Sequence, residues 1–139
     1  MEADPMSMKF NRRMMLLSGA LAVMAGSLAA AAEDAAVTKL TAAQLAAKLA
    51  NKDFFLVNVH IPYQGEIKNT DAFIAFDRIA DHLDQLPSDK AAPIVLYCRS
   101  GRMSDIASKV LAHLGYSQVS DLAGGMNGWK DAGLPIIVK

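Results

Sequence analysis

From residue 37 onward, short apolar runs alternate with stretches in which apolar residues recur every three or four positions. Val37 to Leu40 is a brief strand, followed by Thr41-Ala42-Ala43-Gln44, where Thr41 as N-cap and Gln44 three residues on form a capping box. Leu40, Leu45 and Leu49 then lie on one helical face that runs to about Asn51. Phe54 to Val59 and Pro93 to Tyr97 are almost continuously apolar and of strand length, as expected of strands buried on both faces of a parallel sheet. A loop with Pro62, Gly65 and Asn69 separates the first of these from a second strand over Ala72 to Phe76, and Ile79, His82, Leu83 and Leu86 predict a helix over 78–86. Met103, Ile106, Ala107, Val110, Leu111 and Leu114 describe an amphipathic helix stopped by Gly115. A strand near Ser117 to Val119, a short helix through Trp129 to Ala132 and a terminal Ile136-Ile137-Val138 complete the series. Strands alternating with helices at this spacing predict an α/β domain with a mainly parallel central sheet flanked by helices.

The N-terminal stretch has a different pattern. Lys9, Arg12 and Arg13 precede an apolar run from Met14 to Ala32 that ends in alanines, with Glu33-Asp34 beyond. A charged start, an apolar centre and a small-residue exit predict a secretory signal over residues 1–32, with the mature domain at 33–139. The arginine pair also fits a twin-arginine signal, so either export route is open. The expected location is the periplasm. The alternative is an uncleaved segment that anchors the protein in a membrane, since the run approaches the ~20 apolar residues a spanning helix needs.

The 139 residues carry a formal net charge of zero, and the N-terminal stretch holds Lys9, Arg12 and Arg13 against Glu2 and Asp4. Without that stretch the domain has one more acid than base. A near-neutral balance excludes nucleic acid as the expected partner. One cysteine in an exported chain cannot form an internal disulfide, and a cysteine pair or Cys/His metal spacing is absent, so no metal is expected.

That cysteine, Cys98, stands where the apolar run Val95-Leu96-Tyr97 ends and a turn, Arg99-Ser100-Gly101, leads into a helix through Arg102, Met103 and Ser104. A thiol at a strand-to-helix junction faces loop amides and the positive end of the helix, which favours its anion and makes it a candidate nucleophile. Arg99 and Arg102 add fixed charge for an oxyanion. Gly101 is expected to shape the backbone and Ser104 to cap the helix. Ligands of open parallel sheets bind beyond the carboxyl ends of the strands, and His60 lies at such an end too. Its expected role is a rim histidine bonded to a backbone carbonyl, with a titratable ring near the site as the functional alternative.

Four segments of the chain resemble the rhodaneses, a sulfurtransferase family. They are Phe55 to His60, Gly65-Glu66-Ile67, Tyr97 to Arg102 with Ser104, and Leu122 to Met126 with Trp129 and Ala132-Gly133-Leu134-Pro135. An exported, small single domain is also similar in architecture to the periplasmic phage-shock rhodaneses. The resemblance implies a three-layer domain. It implies that Cys98 takes a sulfane sulfur from thiosulfate or a related small donor as a covalent persulfide, without a cofactor, and passes it to cyanide or a thiol. Amides of Arg99, Ser100, Gly101, Arg102 and Met103 would cradle the sulfur, and Arg99 and Arg102 would orient the sulfonate. Where the family usually reads Asp-Val-Arg this chain has Asn58-Val59-His60, and Glu66 replaces a histidine, so that Glu66 could partner His60 or a loop arginine. Trp129 is expected to anchor the last helix by packing.

Two other functions compete. A cysteine-dependent phosphatase or arsenate reductase needs an arginine six residues after the cysteine to fork the oxyanion, and that position is Ser104. A non-catalytic sulfur-carrier or binding module on the same fold would have lost the cysteine or the arginines, and both are kept.

Overall fold

The computed structural model describes residues 37–139. The expected signal segment, the start of the mature chain and hence any membrane anchorage lie outside the described residues. Among those residues no helix is long and apolar enough to cross a membrane.

Five strands form one sheet: β1 (Thr38–Leu40), β2 (Phe55–Asn58), β3 (Ala72–Phe73), β4 (Ile94–Tyr97) and β5 (Val119–Leu122). Their order is β1-β5-β4-β2-β3, and every pairing is parallel. The alternation of side chains along the two central strands explains their apolar runs. On one face Val57, Val59, Ile94, Leu96 and Cys98 join Ile79, Leu86, Ala107 and Leu111 in one buried cluster. On the other, Phe54, Leu56, Val95 and Tyr97 join Leu45, Met126 and Trp129 in a second. The second cluster thus includes residues of helix α1 (Ala42–Leu49) and helix α3 (Gly125–Asp131), whereas α2 (Arg102–His113) supplies the first. These are the three layers that the resemblance implies.

The local signals hold at α1. Thr41 Oγ1 accepts from Gln44 N–H at 3.1 Å, and Gln44 Oε1 accepts from Thr41 N–H at 2.9 Å. Trp129 is buried and donates its indole N–H to the Pro135 carbonyl at 2.9 Å, tying α3 to the C-terminal segment.

Three expectations fail. The strand expected near Ser117 to Val119 begins only at Val119 and runs to Leu122. The strand expected over 72–76 is only Ala72–Phe73, although Ile74 N–H and Phe76 N–H still reach back to the Asn58 and Val59 carbonyls. The helix expected over 78–86 is instead a 3-10 segment, Phe76–Gln85, broken at His82 (φ −128°, ψ 34°). Its apolar spacing accounts for this. Phe76 and Ile79 are three apart, as are Leu83 and Leu86, which suits the three-residue turn of a 3-10 helix. The four-residue step from Ile79 to Leu83 forces a change of phase, and the break falls within it.

Candidate active site

β4 delivers Cys98 to the carboxyl rim of the sheet, beside β2, where Val59 N–H donates to the Tyr97 carbonyl at 2.9 Å. The chain then needs only Arg99, Ser100 and Gly101 before α2 begins at Arg102. Gly101 makes the turn at φ 108°, a region costly for any side chain, and stands as the N-cap of α2. This curl brings the Gly101 N–H to 3.0 Å from Cys98 Sγ. The N–H groups of Arg102, Met103 and Ser104 head the same helix, and their intrahelical partners are missing by construction. Cys98 is 1% exposed and belongs to the apolar cluster under α2, and the Gly101 N–H is the polar contact of its sulfur among the described residues.

The loop is held from behind by α3. Met126 N–H donates to the Cys98 carbonyl at 2.8 Å and Asn127 N–H to the Arg99 carbonyl at 2.9 Å. Such an approach leaves no room for a side chain at Gly125: a Cβ there would stand 2.4 Å from the Cys98 oxygen and 2.7 Å from the Arg99 oxygen. The Gly124-Gly125 pair is therefore part of the loop's geometry.

A polar cluster fixes the start of α2. Ser104 Oγ donates to Asp121 Oδ1 at 2.5 Å, and Asp121, 1% exposed on β5, also takes Lys39 Nζ of β1 at 2.5 Å. Lys39 reaches Asp105 at 2.7 Å as well, and Lys109 pairs with Asp105 at 3.1 Å. Burial pulls the Lys39 ammonium down, but its bonds to Asp105 and Asp121 and their charges more than reverse this, leaving it above the usual lysine value. The hydrogen bonds from Lys39 and then Lys109 hold the Asp105 carboxyl below the usual range.

The sequence matches the family described as the rhodanese-like domain over residues 41–132. The chain belongs to the rhodanese-like family. It is 34% identical over 105 residues to a sulfurtransferase of Allochromatium vinosum, an alignment covering 73% of this chain and 95% of that one. A rhodanese-related protein from Thermoplasma volcanium shares the fold at a TM-score of 0.64 and 24% identity, with 73% of this chain and 99% of the other covered. So does a protein of unknown function from Rhodopseudomonas palustris, described as a possible tyrosine phosphatase, at 0.63 and 24%, over 76% and 89% of the two chains. Sulfur transfer is the chemistry to which the family and its sulfurtransferase relative point.

Within this rhodanese domain the named candidates do not all converge. Cys98 and Gly101 meet directly. Ser100 and Arg102 are exposed, and Met103 turns its half-buried side chain to the core, leaving only its backbone for the loop. Arg99, exposed, donates from Nη1 to Gln64 Oε1 at 2.9 Å. Asn58 is buried and ties the loop after β2: its Nδ2 donates to the Gly65 carbonyl at 3.0 Å and its Oδ1 accepts from His60 N–H at 2.9 Å. His60 Nδ1 lies 2.7 Å from the Pro62 carbonyl, so it is the donor and Nε2 is the free acceptor of the neutral ring. Among the described residues no hydrogen bond joins His60 to Cys98.

Two site expectations are corrected. Ser104 does not cap α2; it lies three residues inside, and its hydroxyl is drawn to the buried Asp121 carboxylate, a stronger acceptor than a neutral partner. Glu66 partners neither His60 nor an arginine. Its backbone forms an antiparallel bridge to Ile137, which turns its carboxylate to Tyr63 Oη (2.8 Å) and Lys139 Nζ (3.2 Å).

Three contributors escaped sequence reasoning. Asp121 and Gln64 had no local signal, as a lone acid in a short strand and an amide in a loop read as solvated. Tyr97 reads as the end of a strand and the start of the loop segment, with nothing to mark a role for its phenol. Its phenol accepts from Ile67 N–H at 3.0 Å and donates to Thr70 Oγ1 at 2.7 Å, the Thr70 hydroxyl itself donating to the Ile67 carbonyl at 2.6 Å. Burial raises this phenol above the usual tyrosine value.

Proposed function

We propose that the protein is a thiosulfate-type sulfurtransferase in which Cys98 carries the sulfur. The observation that carries this reading is the Gly101 N–H aimed at Cys98 Sγ from 3.0 Å, at the head of a twelve-residue helix. A donor fixed there stabilises negative charge on the sulfur, and on a second sulfur bonded to it, without reorganisation during reaction. In the first step the Cys98 thiolate attacks the outer sulfur of thiosulfate. The new Sγ–S bond forms as the donor's S–S bond breaks, and sulfite leaves with the electron pair. In the second step cyanide or a thiolate attacks the outer sulfur of the persulfide, giving thiocyanate or a new persulfide and restoring the Cys98 thiolate. No cofactor takes part. Arg102, exposed at the first position of α2, is the cation assigned to the donor's sulfonate, since Arg99 turns its guanidinium toward Gln64 of the neighbouring loop.

The phosphatase reading finds no support at the position that should carry its arginine. Ser104 is fully buried and bonded to Asp121, so it cannot fork a phosphate. Export to the periplasm remains the proposal for location, on the pattern of residues 1–32.

The test is to incubate the chain with thiosulfate and weigh it. A gain of one sulfur atom on the wild type and none on Cys98→Ser is the expected result. An adduct that persists in Cys98→Ser, or none on the wild type, refutes the reading. Arg102→Ala should slow thiosulfate use more than it slows alkylation of Cys98.

A further inference from the structure

Beside the Cys98 loop lies a cleft of about 250 Å3 lined by Gln64, Arg99, Met126, Asn127, Lys130 and Ile136. Four separate parts of the chain meet there: the loop after β2, the loop after β4, one face of α3 and the C-terminal segment. Met126 and Lys130, four apart, project from the same side of the helix. Two cations face the space, and among the described residues neither Arg99 nor Lys130 forms an ion pair, although six other such pairs occur. The amides of Gln64 and Asn127 add donors, and the exposed lining is mainly polar.

We infer that this cleft binds the carboxylate end of a thiol that accepts the sulfur. The class follows from the lining and the size. A guanidinium and an ammonium beside amide donors suit a carboxylate. The volume is below the ~300 Å3 at which pockets for whole drug-sized ligands begin, so it takes one end of a small molecule. Its lining includes Arg99 but neither Cys98 nor any residue from Ser100 to Met103. The bound charge therefore sits to the side of the reacting sulfur. Thiosulfate carries its sulfonate directly on the transferred atom, whereas a thiol can carry its carboxylate several bonds from its sulfur and so offer the two groups to two neighbouring places. This assignment of the occupant rests on the sulfurtransferase reading, whereas binding of the carboxylate does not.

Two measurements on the full chain test it. In transfer from thiosulfate, the half-saturating concentration of 3-mercaptopropionate relative to that of 2-mercaptoethanol should rise about three- to fivefold in Lys130→Ala, the size of effect expected for one exposed charge contact, and recover in Lys130→Arg. Equal rises for both thiols, or an equal rise for thiosulfate, overturn the inference. S-methylglutathione, which cannot accept sulfur, should bind saturably in a calorimetric titration, and more weakly to Lys130→Ala. An absence of saturable, Lys130-dependent binding also overturns the inference. Binding that is present while the wild type takes up no sulfur would refute the sulfurtransferase reading and leave the cleft standing.

Discussion

Two loops meet at the carboxyl rim of the sheet, and they are held by opposite means. The loop after β4, Cys98 to Gly101, is short and secured by backbone: its carbonyls take the Met126 and Asn127 N–H groups, and Gly101 turns its own N–H to the sulfur. The loop from Val59 to Asp71 is long and secured by side chains. Asn58 takes the Gly65 carbonyl and His60 N–H, Tyr97 takes Ile67 N–H and Thr70, and Asp71 Oδ2 accepts Leu56 N–H at 2.8 Å. A backbone clamp, given glycine at 101 and 125, fixes the loop without calling on the side chains of Arg99 and Arg102 and leaves both exposed. A side-chain clamp makes the loop depend on particular residues, which is where this chain departs from the usual rhodanese pattern with Asn58, His60 and Glu66.

The sharpest way to break the first loop is to place a methyl group where α3 presses on it. Gly125→Ala would put a Cβ 2.4 Å from the Cys98 oxygen, so loop or helix must move. A displacement on the order of 1 Å costs about 100-fold in a positioned reaction. The expected outcome is a loss of that size in the rate of sulfur uptake, followed by mass spectrometry, with a stability loss of about 1–3 kcal/mol from overpacking. Uptake at the wild-type rate would show that the close approach of α3 has no part in positioning the sulfur.

Tyr97→Phe breaks the second loop and spares the first. It keeps the ring in the core and removes the hydroxyl, leaving the buried Ile67 N–H without its acceptor. An unsatisfied buried group costs about 1–3 kcal/mol, to be read from denaturant unfolding. Amide exchange at Ile67 should rise more than exchange at Met126, whose bond belongs to the other clamp. Equal changes at the two amides would mean that the loops open as one unit.

The same contrast decides what could be read from sequence. The alternating layers were legible because Leu56 and Val57, or Val95 and Leu96, can both be apolar only if both sheet faces are covered. The Cys98 loop was legible because its parts lie within a few residues, and a turn glycine beside a thiol restricts what the backbone can do. Bonds across long separations left no such trace. Arg99 to Gln64, Ser104 to Asp121 and Glu66 to Lys139 each join positions that either partner would leave looking solvent-exposed, as their residue types are polar. The 3-10 segment was misread because a three- and four-residue spacing serves two kinds of helix, and only the position of the break separates them.

The smallest effect concerns the base of the first loop, where Lys39 anchors the opening turn of α2. Asp105 is held below its ordinary value by the hydrogen bonds from Lys39 and Lys109. Its lowered folded-state value contributes stability that is complete above the unfolded carboxylate value of ~3.9 and is lost as pH falls through the lower folded value. Lys39, held above the usual lysine value, contributes in the opposite sense: its share is complete below the unfolded lysine value of ~10.4 and is lost as pH rises through the higher folded one. Asp105→Asn should therefore flatten the fall in unfolding free energy below about pH 4, and shift the alkaline limb slightly toward neutrality as Lys39 loses one partner. Both changes should be small, because Asp105 and Lys39 are partly open to water and screened by salt, and should shrink further in high salt. An acid limb identical in the variant and the wild type would assign the anchoring of α2 to the buried Asp121 and its Ser104 hydroxyl alone, with the surface pair contributing nothing to the loop it adjoins.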